Sequence, residues 1–213
     1  MKLLCLHGLG TNSDVFKAQL EPIIRALVSV QFTFVDANIE CPGDVEIAKY
    51  FRGPFYRHWD DTRESVLECY EYIHETMEED GPFDGVVGFS QGAAAAATAL
   101  LRTQNADPTA PPLFKFAIFF CATNALDTSQ EEAALANVPA AKGMRLPAIP
   151  TVHVVGQKDD VFAESMTLYE LADPRLARLI THSGGHVIPK DAAFARKMQD
   201  LIEWAALASG GGG

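Results

Sequence analysis

Apolar residues fall along this chain in two alternating periods. Short continuous runs read as buried strands, and the stretches between them place apolar residues every three or four positions, as one helix face does. Lys2–Leu6 is the first run, and it ends at His7-Gly8. Asn12 or Ser13 is placed to cap a helix whose Phe16, Leu20, Ile23 and Leu27 share a face. Gln31–Val35 reads as a second strand. Ala37 to His58 shows neither period and holds Pro42, Gly43, Gly53 and Pro54. A loop of that length is expected to be functional or to wrap a site. A helix fits Asp61 to Glu79, with Val66, Tyr70, Ile73 and Met77 on one stripe and Gly81-Pro82 as its stop.

Asp84–Phe89 is then a strand, Gly92–Arg102 an alanine-rich helix and Phe114–Cys121 a buried strand. Ser129–Lys142 is expected to be helical in part. Thr151–Val155 is a strand, followed by a helix near Ala163–Ala172 and a last strand at Arg178–His182. Phe194, Met198, Leu201 and Ala205 mark a closing helix. Strands alternating with helices predict an α/β fold: a mostly parallel sheet of about six strands with helices on both faces. No internal repeat or linker interrupts the pattern, so 1–208 reads as one domain. Ser209–Gly213 reads as a flexible glycine-rich tail outside it.

Composition narrows the function. The 213 residues carry 17 Lys and Arg against 28 Asp and Glu, a net charge of −11. That balance argues against nucleic acid and anionic membrane surfaces as partners, since both need clustered cations. No apolar run approaches the roughly 18 residues of a spanning helix. Leu3–Leu6 is too short for the core of a secretory signal. Cys5, Cys41, Cys69 and Cys121 are scattered without a CxxC pair, which disfavours a zinc site and fits a reduced, cytoplasmic protein. Gly8-Leu9-Gly10-Thr11-Asn12-Ser13 lacks the third glycine of a dinucleotide fingerprint. Nothing in the chain calls for a metal or a cofactor.

Gly88-Phe89-Ser90-Gln91-Gly92 matches G-x-S-x-G between a strand and a helix rich in small residues. A nucleophile elbow sits at such a junction, where a sharp turn lifts the serine hydroxyl above the sheet. A serine needs a base, and the base needs an orienting acid. Asp159 follows the Thr151–Val155 strand, with Asp160 beside it as the alternative acid. His186 stands on the glycine-rich loop after Arg178–His182. Ser90, Asp159 and His186 are therefore the catalytic candidates. His182 is expected inside its strand, and mid-strand His153 reads as a core histidine. His7-Gly8-Leu9-Gly10 after the first strand suits an oxyanion loop, with the backbone N–H groups of Leu9 and Gln91 as donors. The run Tyr50–Trp59 places Phe51, Phe55, Tyr56 and Trp59 where they are expected to line a substrate pocket, with core packing as the alternative. Arg52, Arg57 and His58 among them offer weaker candidates for an anionic group.

These segments resemble the α/β-hydrolase superfamily, and within it the fungal-type serine hydrolases known as FSH hydrolases. The resemblance rests on LCLHGLGTN at Leu4–Asn12, YFRGPFYRHW at Tyr50–Trp59, FDGVVGFSQGAA at Phe83–Ala94, HVVGQKDD at His153–Asp160 and HSGGHVIP at His182–Pro189. It implies Ser90 as nucleophile, Asp159 as acid and His186 as base. It implies hydrolysis of carboxylic esters or thioesters through an acyl-enzyme, including release of a polyketide or acyl chain from the acyl-carrier domain of a polyketide synthase. Asp160 stands where many relatives carry proline or another residue. A small-ester carboxylesterase and a non-catalytic hydrolase-like binding protein are the alternatives.

Overall fold

The computed structural model describes residues 1–60, 62–128, 136–138 and 143–210. Its centre is a sheet of six parallel strands: β1 (Lys2–Leu6), β2 (Gln31–Val35), β5 (Gly85–Phe89), β6 (Phe116–Phe120), β9 (Thr151–Gly156) and β10 (Ala177–His182). They lie in the order β10-β9-β6-β5-β1-β2, every pairing parallel. Because side chains alternate along a strand, each strand feeds two cores. Leu3, Cys5, Val87, Phe89, Ile118 and Phe120 point to one face, covered by α1 (Ser13–Ala26) and α5 (Ala192–Gly210). Leu4, Leu6, Val86, Ala117 and Phe119 point to the other, covered by α2 (Arg63–Asp80), α3 (Gln91–Ala106) and α4 (Phe162–Leu171).

Local chemistry sets the ends of these elements. Asn12 caps α1, its Oδ1 accepting from Val15 N at 3.0 Å. Thr62 caps α2 through its hydroxyl, so that helix starts at Arg63, two residues later than Asp61. Helix α3 begins at Gln91 and runs past Arg102 to Ala106. The long loop after β2 is not structureless: β3 (Ile39–Cys41) pairs antiparallel with β4 (Phe55–Arg57). The partial helix expected over Ser129–Lys142 lies mostly outside the described residues. Within it, β8 (Ala136–Asn137) pairs with β7 (Leu126–Asp127). Helix α5 takes in Ser209 and Gly210, two residues expected in the tail, and 211–213 lie outside the described residues. Among the described residues no helix is long and apolar enough to cross a membrane.

The strand order reverses between β1 and β5. The chain leaves β1 for the edge strand β2 and later returns to lay β5 on the other side of β1. In open parallel sheets, a crevice opens at the carboxyl ends of the strands flanking such a reversal. His7–Gly10 follows β1 there and Ser90 follows β5.

Candidate active site

Ser90 sits at the junction of β5 and α3 with φ 55° and ψ −120°, one of two non-glycine residues with positive φ among those described. Holding a serine there costs on the order of 1–3 kcal/mol, and close packing of the neighbouring backbone supplies the constraint. A side chain at Gly92 would come within 2.2 Å of Leu6 O and 2.4 Å of His7 O. One at Gly88 would come within 2.5 Å of Ala93 N. Ser90 N donates to Phe120 O at 2.9 Å and fixes the turn to β6. The two glycines of the motif thus let β1, β5 and α3 close around the strained serine.

Asp159 and His186 meet on loops from neighbouring strands. The carboxylate takes His186 Nδ1 at 3.0 Å through Oδ1 and 2.9 Å through Oδ2. A carboxylate only accepts, so Nδ1 carries the proton and Nε2 is left as the basic nitrogen. Asp159 has a fully buried side chain, and its Oδ1 also accepts from Val161 N at 3.0 Å. Asp160 is exposed, so the structure pairs the first of the two acids with His186. Backbone bonds from Gln157 N to His182 O, 2.8 Å, and from Lys158 N to Gly184 O, 2.9 Å, hold the two loops together.

His186 and Ser90 both line a cavity of about 710 Å³. The Phe89 ring, next to Ser90, lies 4.9 Å from the His186 ring between centroids. Leu9 also lines the cavity. Among the described residues, neither Leu9 N–H nor Gln91 N–H has a hydrogen-bond acceptor. The Gln91 side chain has a role that the motif did not reveal. Its Oε1 accepts from His58 N at 2.9 Å and its Nε2 donates to Trp59 O at 3.0 Å.

The loop after β1 is braced from below. His7 is wholly buried, and its Nε2 accepts from Ala37 N at 3.0 Å, which leaves the Nδ1 proton to Gly8 O at 2.7 Å. His58 Nε2 donates to His7 O at 2.9 Å. Burial lowers the His7 pKa and, aided by the neighbouring His7, pushes His58 down to about 3. Both therefore serve as neutral braces at ordinary pH. Gly10 N donates to Tyr56 O at 3.0 Å, and Tyr56 N to Thr11 O at 2.8 Å.

The pocket expected from the aromatic run is only partly made by it. Phe51 and exposed Tyr50 line the cavity; Phe55, Tyr56 and Trp59 do not. The Phe55 ring lies over Gly43, where an added side-chain carbon would come within 2.4 Å of it. Tyr56 belongs to β4, and Trp59 packs against the core under α3. Arg52, Arg57 and His58 also lie outside the cavity lining. Val15, Ala18 and Gln19 of α1, with Ile47 and Ile188, supply further wall, and Asp44, Glu46 and Lys190 add charged groups to it. His153 is buried between Phe119 and Tyr169, with ring centroids at 5.1 and 5.3 Å, in the core position its mid-strand place suggested.

Known proteins match this chain along most of its length. The family described as serine hydrolase (FSH1) matches residues 1–198. The chain is 35% identical over 198 residues to the esterase FPY3 of Fusarium mangiferae, covering 89% of each protein. It is 33% identical over 215 residues to the hydrolase phiM of Talaromyces stipitatus, covering 93% of this chain and 84% of that one. Among solved structures, a carboxylesterase from Mesorhizobium loti superposes with a TM-score of 0.61 at 17% identity, over 95% of this chain and 88% of that one. The esterase PE8 gives 0.61 at 21% identity, over 96% and 92%. The shared architecture is the α/β-hydrolase fold.

Proposed function

This chain belongs to the serine hydrolase (FSH1) family, and we propose that it cleaves carboxylic esters or thioesters with Ser90, His186 and Asp159 as its catalytic triad. The observation that carries the assignment is the buried Asp159 carboxylate holding His186 Nδ1 at 2.9 Å beside the cavity that Ser90 also lines. In this reading His186 Nε2 takes the Ser90 proton as the hydroxyl oxygen attacks the acyl carbon. The carbonyl oxygen becomes an oxyanion, received by the N–H groups of Leu9 and Gln91. His186 then returns the proton to the leaving alcohol or thiol. Water, deprotonated by the same imidazole, attacks the acyl-Ser90 ester and releases the acid. Asp159 stays ionised and stabilises the imidazolium in both steps.

Two measurements test this. A fluorophosphonate probe is expected to label the wild-type chain and not Ser90→Ala. Turnover of a p-nitrophenyl ester is expected to fall by about 10⁴–10⁶ in that variant. Labelling that persists in Ser90→Ala would move the nucleophile elsewhere. The ester and thioester readings separate by intact mass, as the acyl-enzyme formed from matched oxygen- and thioesters. A carrier-bound acyl thioester is part of the same proposal: its turnover is expected to exceed that of the free thioester, and equal rates would remove the carrier domain as a partner.

A further inference from the structure

Cys121 follows β6 directly and is the second non-glycine residue with positive φ among those described, at 45°. It is completely buried. Its Sγ, an Asp159 carboxylate oxygen and a His186 ring nitrogen all lie within 4.8 Å of one another. The thiol donates to Val187 O at 3.7 Å, with the Asp159 carboxylate within 4.8 Å as the other acceptor in reach of the same proton. Val187 is the residue after His186. Cys121 N donates to Val154 O at 2.8 Å, tying the cysteine to β9 just before the loop that carries Asp159. A backbone conformation that most side chains avoid therefore delivers a donor to a point where acid loop and base loop meet.

We infer that Cys121 is a positioning residue, whose single thiol proton, shared between Val187 O and the neighbouring Asp159 carboxylate, holds the acid and the histidine loop in register. The inference rests on the triad reading above. Burial and the charge of Asp159 push the thiol up to about 12, so it stays a protonated donor throughout the working range. By sharing the carboxylate's charge, the thiol also tempers its pull on the imidazolium. The titratable groups facing this line are Asp159, His186 and His182, whose own pKa burial lowers against the charge of Asp159. Lys190, Asp44 and Glu46 also line the cavity.

The test compares Cys121→Ala, Cys121→Ser and Cys121→Gly in the whole chain, with kcat, KM, acid-limb pH profile and melting temperature for each. Cys121→Ala is expected to lower kcat about three- to tenfold, the worth of one ordinary hydrogen bond, with KM little changed. Its acid limb is expected to move to higher pH, because the unshared carboxylate holds the imidazolium more tightly. Cys121→Ser keeps a donor and is expected to restore both readouts. Cys121→Gly relieves the backbone without a donor and is expected to behave like Cys121→Ala. Recovery of activity by glycine but not serine would overturn the inference in favour of backbone strain, and so would a melting-temperature loss with kcat and pH profile unmoved. If Cys121→Ala does not fold, serine against glycine decides alone. Failure of the triad reading is seen separately, as persistent probe labelling of Ser90→Ala with unaltered Cys121.

Discussion

Gln91 holds His58 and Trp59 from the first turn of α3: one amide oxygen takes the His58 N–H and the amide nitrogen reaches Trp59 O. The residue proposed to offer its backbone N–H to the oxyanion thus anchors, through its side chain, the segment that braces the other donor loop. His58 in turn donates to His7 O. The two halves of the proposed oxyanion hole are joined through three residues, Gln91, His58 and His7.

Gln91→Ala is expected to keep the backbone donor and lose the clamp. Leaving His58 N and Trp59 O without partners costs about 1–3 kcal/mol. The variant is therefore expected to melt lower and to lose about tenfold or more in kcat/KM, from a displaced Leu9 donor rather than a missing one. Amide hydrogen exchange provides the specific check, because the His58 N–H should lose protection. If that amide remains as protected as in the wild type, the clamp is not what orders the segment.

The paired acids give a second expectation. Asp159 is buried against His186 and Asp160 faces solvent. Asp159→Asn replaces an acceptor pair by an amide that cannot stabilise an imidazolium, and it favours the wrong imidazole tautomer. The loss in kcat is expected to be on the order of 10⁴. Asp160→Asn is expected to stay within about twofold, as surface changes away from a site usually do. Steady-state kinetics on the two variants decide it, and the reverse ranking would transfer the acid role to Asp160.

The sheet was legible because most strands are short apolar or β-branched runs, and the catalytic candidates because β5, β9 and β10 each run into a glycine-bearing turn that carries one of them. Periodicity cannot show β3 and β4: each has only three residues, and β4 is fixed by its bridge to Thr11 rather than by its own pattern. The aromatic run misled in part for a related reason. Composition says that Phe55 and Trp59 need burial, but not on which side. A nearby Gly43 and the core under α3 take them away from the cavity. The α1 wall was hidden because Ala18 and Gln19 lie beside the apolar stripe, where a helix pattern reads as surface. In the sequence Cys121 is an isolated thiol, since only the fold brings the ends of β6 and β9 together.

Buried histidines set a third expectation, for stability against pH. Burial pushes His58 and His153 from 6.5 down to about 3. Unfolded, each takes up a proton near pH 6.5; folded, it refuses one until about pH 3. The unfolded state therefore binds more protons between those limits, and stability is full above pH 6.5 and drains as pH falls. Each histidine withdraws about 1.4 kcal/mol per pH unit in that window. Chemical denaturation between pH 7 and 4.5 should show a proton uptake on unfolding of about two near pH 5, with His7, also lowered by burial, adding to it. His153→Phe should remove about one of those protons. Asp60 and Asp173, held down to about 2, titrate below this range and do not confuse it. Stability that stays flat from pH 6.5 to 4.5 would mean these imidazoles are reached by water.

The cavity makes the last expectation specific. Phe51, Ile47, Ala18 and Ile188 give it an apolar wall beside Ser90, so it suits the acyl chain of the proposed substrate. Each methylene buried there is worth about 0.8 kcal/mol, or roughly fourfold in kcat/KM, until the space is filled. Phe51→Ala is expected to flatten that rise, with little change for acetyl esters, which reach only the serine. Ala18→Leu should do the opposite by filling the cavity: longer chains are rejected while acetyl turnover remains. Phe55→Ala and Trp59→Ala serve as contrasts, because their rings pack elsewhere; they should lower the melting temperature and reduce turnover equally at every chain length. A chain-length series on the four variants separates the two groups. Should Phe51→Ala cost acetyl and octanoyl esters alike, or Ala18→Leu leave the profile unchanged, the acyl chain lies outside this cavity and the space beside Ser90 receives the leaving group instead.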